Sequence, residues 1–182
     1  METIRLPDNT LDKCFKPIKE TYTPYLNRGF AIVLARLAQT QLSYSFFEQI
    51  DGFHKTHPFD DITIYSVNNE LPCVSPPTSI YPVGSLGEHI GPVIATCPLT
   101  WNIVNSAYAD IKRYYYLYDP IMLRFLNPLV MKNVASSDFT FVLRSKDHLE
   151  ICQLAGINKN KISDIYCPNA EPEILNQITR KS

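Results

Sequence analysis

No run of apolar residues in this chain approaches the roughly 18 that a membrane-spanning helix needs, and Met1 to Thr10 lack the basic and apolar segments of a secretory signal. Both absences lead to the expectation of a cytoplasmic protein with no membrane span. An excess of one charge is also missing. With 17 Lys and Arg against 18 Asp and Glu the formal charge is −1, so the overall field offers no strong attraction to nucleic acid or to an anionic membrane surface. No P-loop, G-x-S-x-G or H-E-x-x-H pattern occurs, which sets those enzyme classes aside. Nor does any cysteine pair have C-x-x-C spacing. The five cysteines, Cys14, Cys73, Cys97, Cys152 and Cys167, are an odd number at irregular intervals and read as free thiols.

What is present is ordinary globular composition. The chain has 182 residues, of which 45% are hydrophobic and 19% charged, enough to bury a core without disulfides or metals. Residues 1–27, with Pro7, Pro17 and Pro24 among charges, read as a lead-in segment, and residues 28–182 as one domain. From Arg28 to Ile50, apolar residues recur at helical spacing without a proline, which predicts a helix. Ile62 to Val67 is a β-branched run and predicts a strand, and the proline- and glycine-rich stretch Leu71 to Pro92 predicts loop. Further strands are expected at Pro92 to Cys97, Arg113 to Tyr118, Phe139 to Leu143 and Ile162 to Tyr166. Helical segments are expected at Thr100 to Tyr108, from Ile121, from Ser145 to Gly156, and at Glu171 to Thr179. Strands alternating with short helices predict an α/β domain, a Rossmann-like and mostly parallel sheet with helices on both faces.

The segment DFTFVLRSKDHLEICQLAGINKNKISDIYCPNAEPEIL, from Asp138 to Leu175, resembles one common in glycosyltransferases of the two-Rossmann-lobe (GT-B) type. The positions that carry the likeness are Ser145 at a strand end, Gly156 at a helix end, Lys161 before the strand at Ile162, and the turn at Pro168 and Asn169. The strand Tyr114-Tyr115-Tyr116-Leu117-Tyr118-Asp119 is similar to ones in glycosyltransferase-like proteins of tailed phages, which raises the expectation of a viral protein in a host cytoplasm. The resemblance implies a single lobe, the N-terminal acceptor-side one, that takes part in sugar transfer from a nucleotide-sugar donor to a hydroxyl acceptor. It implies no resident cofactor. Because the sequence ends at Ser182, near where the second lobe of such enzymes begins, a partner lobe or a homo-oligomer is expected to complete the cleft. The alternative is a non-catalytic binding or structural protein that reuses the lobe. Two positions depart from the pattern: no glycine-rich loop precedes the first long helix, and Ala170 stands where a glycine is usual.

In open α/β sheets ligands bind beyond the carboxyl ends of the strands, which selects the candidate residues. Thr96 and Thr100 flank one strand-to-helix junction. Arg144 and Ser145 flank another, where a guanidinium beside a helix start suits phosphate; the competing reading is simple capping by Ser145. Asp119 could take a proton from an acceptor hydroxyl, or it forms a routine Asp-Pro turn. The loop with Gly84, Gly87, Glu88 and His89 offers close backbone approach together with an acid and a base, against an ordinary surface turn. Asn169 completes the substrate-binding set. His54 and His57 with Asp60 and Asp61 invite a metal, but Pro58 interrupts the helix that would align the imidazoles, and no metal is expected. The tyrosines from 114 to 118 either stack on a ligand or form core, with core favoured.

Overall fold

A computed structural model describes residues 29–37, 41–58, 61–68, 75–107 and 111–166, together with Leu175. The lead-in segment, Asn169 with its turn, and all of the expected final helix but Leu175 lie outside these residues. Seven strands form one sheet among them: β1 (Phe30–Leu34), β2 (Ile62–Ser66), β3 (Ile80–Pro82), β4 (Val93–Ala95), β5 (Arg113–Leu117), β6 (Thr140–Leu143) and β7 (Ile162–Tyr166). Their spatial order is β3-β2-β1-β4-β5-β6-β7, and every neighbouring pair is parallel. The helices are α1 (Gln41–Thr56), α2 (Pro98–Ala107), α3 (Pro128–Ser136) and α4 (Leu149–Leu154). The Rossmann-like parallel α/β architecture is therefore present.

One expectation fails at its start. Residues 30–34 are strand, not the beginning of a helix, and the helix begins only at Gln41. In FAIVL all five residues are buried, because a strand inside a parallel sheet is covered on both faces. Its continuous apolar run fits helical spacing as well as it fits a strand. The stretch expected to be loop holds β3 and a 3-10 turn at Val83–Glu88. Pro82, which can donate no backbone hydrogen bond, sits on the edge strand, where none is needed on the outer side.

Alternation along the strands sorts the core into two layers. Phe30, Ile32, Leu34, Ile64, Tyr114, Tyr116 and Val142 face α1, whose Phe46, Ile50 and Phe53 are buried against them. Leu175, helical and buried, joins the same layer. On the other face Ala31, Val33, Val93, Tyr115, Phe141 and Leu143 meet Trp101 and Val104 of α2, Val134 of α3 and Cys152 of α4. Each large side chain that leaves water in this way contributes about 1.5–3 kcal/mol. Of the aromatic run, Tyr114, Tyr115 and Tyr116 are core.

Small structural devices fix the ends of these elements. Asn127 accepts from the Leu129 N–H ahead of Pro128, a capped helix start with proline in its first turn. Gly156, with φ of 85°, closes α4: its N–H donates to the Gln153 carbonyl and that of Ile157 to the Cys152 carbonyl, at 2.9 and 3.1 Å. The Lys161 ammonium donates to the carbonyls of Ser137, Ser136 and Ala135 at 2.8, 3.1 and 3.5 Å, at the carboxyl end of α3.

Gly29 lies where β1 enters the sheet beside β2, and the Phe30 N–H donates to the Asp61 carbonyl at 2.9 Å. A Cβ on Gly29 would lie 1.9 Å from that carbonyl oxygen, whereas one on Gly84 meets nothing within 4 Å. Gly29→Ala should therefore lower stability by about 1–3 kcal/mol, and Gly84→Ala should change it by no more than about 0.5 kcal/mol. Urea denaturation of the two variants checks this contrast.

Candidate functional site

The strand order reverses between β1 and β4, since β2 and β3 run out to one side and β5, β6 and β7 to the other. The carboxyl ends of β1 and β4 therefore feed connections that leave on opposite faces, the place where open α/β sheets bind ligands. The connection after β1, Ala35 to Thr40, contains no glycine. Without one, the backbone cannot draw close to a pyrophosphate as it does in dinucleotide sites.

At this junction Thr96 and Thr100 are tied into the scaffold. The buried Thr96 hydroxyl donates to the Val33 carbonyl at 2.7 Å and bridges β4 to β1. The Thr100 oxygen, fully buried, accepts from the N–H groups of Thr96 and Cys97 at 2.9 and 3.0 Å. Pro98 has no N–H to offer. The start of α2 thus spends on itself the donors that an anion would need. Cys97 is half-buried nearby; burial pushes the Tyr115 phenol up from its ordinary value, and the Cys97 thiol adds to the effect.

A second corner forms where β5 and β6 end side by side, with Leu117 paired to Leu143. The Arg144 guanidinium lies over the Tyr118 ring, 4.5 Å from its centroid, and the ring face helps hold the cation in place. Asp119 is exposed, and its carboxylate accepts from the Ile121 N–H at 3.0 Å as the cap of the 3-10 turn Pro120–Phe125. Ser145 accepts from the Asp147 N–H at 3.3 Å and caps the 3-10 turn Lys146–His148. Ser145 thus caps a turn, and Asp119 stands in an Asp-Pro turn where its carboxylate accepts from the Ile121 N–H. Arg144, Ser145 and Asp119 are nevertheless brought to one corner of the carboxyl edge.

The glycine loop does not join them. Gly84 and Gly87 are exposed, neither has a left-handed φ, and a Cβ on either would meet nothing within 4 Å. Nothing there requires glycine. Glu88 is exposed, while His89 is completely buried. The chain must pass from the outer strand β3 across the sheet to β4, and this crossing carries Leu86 and His89 onto the core face. The His89 ring meets Tyr65 edge-on at 5.8 Å and lies by Gly29 and Pro92, at the amino ends of β1 and β4. Neither ring nitrogen has a hydrogen-bond partner of normal geometry among the described residues. Burial lowers its pKa, an effect that the backbone carbonyls of Pro92 and Gly29 partly oppose. His89 is placed as a neutral core imidazole and does not reach the carboxyl edge.

Of the His54, His57, Asp60 and Asp61 group, Asp60 lies outside the described residues. His57 stacks on Phe53 at 4.5 Å, and no group of three or more metal-ligating side chains gathers among the described residues. Burial pushes the Cys152 thiol up to about 11, which suits an inert core cysteine. Sequence reasoning missed the pairing of Tyr118 with Arg144; the signal was the alternation that points residue 118 to the same face as residue 144. Comparison with protein-family models, with curated proteins and with solved structures finds no match to this chain.

Thr100→Val keeps the shape of the side chain but strands the buried Thr96 N–H and the half-buried Cys97 N–H, and should destabilise the fold by about 1–3 kcal/mol in chemical denaturation. His89 makes a pH-dependent contribution. The unfolded chain takes up a proton near pH 6.5, whereas folded His89 resists it, so stability is complete above that value and falls as pH drops through the lower folded-state pKa. Replacing His89 with Leu should flatten the decline in unfolding free energy between neutral and mildly acidic pH.

Proposed function

We propose that this domain is the acceptor-side lobe of a glycosyltransferase-like assembly, binding a nucleotide-sugar donor along its carboxyl edge and acting with a second lobe or a second copy of the chain. In the reaction the bond between the sugar anomeric carbon and the diphosphate oxygen breaks. A bond to an acceptor hydroxyl oxygen forms, and that hydroxyl loses its proton. The observation that carries the reading is the Arg144–Tyr118 pair beside the exposed Asp119, at the corner where β5 and β6 end. The guanidinium supplies positive charge toward the departing diphosphate. The Asp119 carboxylate, capped through one oxygen, keeps lone pairs that can accept the acceptor's proton.

The second reading is a binding lobe without chemistry. It is favoured by the engagement of Ser145, Thr96 and Thr100 in capping and bridging bonds, and by the burial of His89 away from this edge. The two readings share a ligand and differ in turnover. The likeness from Asp138 to Leu175 supports the lobe more than the reaction, because Ser145, Gly156 and Lys161 each serve to end or begin an element.

Calorimetry of the purified chain against uridine, guanosine and cytidine diphosphate sugars and the corresponding free nucleotides is expected to show binding in the millimolar range or tighter. Arg144→Ala should weaken it about tenfold, the worth of one charge-assisted contact. Absence of binding to every member of the panel would overturn the nucleotide-sugar reading. Binding without transfer, with the partner lobe supplied, selects the non-catalytic one.

A further inference from the structure

Between α2 and α3, on the outer side of the sheet, runs a half-open groove of about 650 Å3, within the range of small-molecule sites, about 300–1,000 Å3. Both helices run back from the carboxyl edge toward the amino edge, so the groove follows their length. Leu99 and Val130 line it toward their starts, and Asn102, Asn105, Asn133 and Ser136 line it further along. Trp101 belongs to its wall, and its indole N–H donates to the Ser137 hydroxyl at 3.2 Å, which fixes the ring between the helices.

We infer that this groove binds a neutral oligosaccharide, at a site separate from the carboxyl-edge corner and independent of the reading given for it. The chemistry of the lining selects this class. None of the residues that line the groove carries a charge, so a phosphate or carboxylate would lose hydration without gaining a counter-charge. The Lys161 ammonium near its far end is held by three carbonyls. The side-chain amides of Asn102, Asn105 and Asn133 make no hydrogen bond among the described residues. Each offers a carbonyl oxygen and an NH2 group, the donor–acceptor pairing that adjacent sugar hydroxyls satisfy. Asn102 and Asn105 lie one helical turn apart on α2 and face Asn133 across the groove, so a linear glycan meets amides on both sides. Leu99 and Val130, exposed at 52% and 37%, give the C–H face of a sugar ring an apolar surface.

Trp101 is the chain's single tryptophan, so its indole N–H gives one resolved signal in a 1H–15N correlation spectrum. The spectrum is recorded during titration with maltotetraose, cellotetraose and chitotetraose, and separately with uridine diphosphate. At least one tetrasaccharide is expected to shift the indole signal and the carboxamide signals of Asn102, Asn105 and Asn133 saturably, and uridine diphosphate to leave them in place. The double variant N102A/N133A should bind at least tenfold more weakly while its dispersed spectrum reports an intact fold. The inference is overturned if no tetrasaccharide moves these signals, if the double variant responds equally, or if uridine diphosphate moves them as the glycans do. Concentration-dependent broadening of the groove signals without ligand would assign the groove to self-association instead. Nucleotide binding at the Arg144 corner can succeed or fail without altering any of these outcomes.

Discussion

The fold turns on the position of β1. Phe30–Leu34 pairs with β2 on one side and β4 on the other, and among the described residues these are the strand ladders that join the strands running out to one side with those running out to the other. Every side chain of β1 is buried, so it contributes to both core layers at once. Gly29 admits it to the sheet, because only a residue without a Cβ fits against the Asp61 carbonyl. At its other end the Thr96 hydroxyl reaches across to the Val33 carbonyl. The same reversal of strand order that makes β1 central also sends the connections after β1 and β4 to opposite faces of the sheet.

That geometry separates scaffold from candidate chemistry. At the β1–β4 junction polar groups are turned inward, toward one another, and the connection after β1 has no glycine to receive a phosphate. The β5–β6 corner differs: its cation rests on an aromatic face and its carboxylate is open to solvent. The proposed binding role therefore falls on one side of the edge. The uncharged groove between α2 and α3 lies on another surface, with amides in place of ions. The domain thus carries two chemically distinct surfaces, one presenting a cation and an exposed carboxylate and the other uncharged amides.

Much of the architecture was legible because β2, β4, β5, β6 and β7 are short β-branched or aromatic runs with helices between them. β1 was hidden by the same burial that makes it central, since a run covered on both faces carries no period of its own. β3 was masked by Pro82, which an edge strand tolerates. The helix expected from Ile121 is instead the 3-10 turn Pro120–Phe125, and α3 begins only at Pro128 behind its Asn127 cap. The candidate site was less legible. Which threonine, serine or aspartate caps an element and which meets a ligand depends on where its oxygen points, and Asp119 and Ser145 point to backbone N–H groups. His89 could not be assigned without knowing that the β3-to-β4 crossing runs over the sheet face rather than around it.

The proposed function places a phosphate-bearing ligand at the carboxyl edge, and within it at the β5–β6 corner. Backbone amide shifts during titration with a nucleotide sugar test this most directly. The largest changes should fall at Tyr118 to Ile121 and Arg144 to Asp147, with smaller ones at Thr96 to Leu99. Changes confined to the amino edge around Lys112 and Phe139, or no changes in a folded protein at saturating ligand, would contradict it.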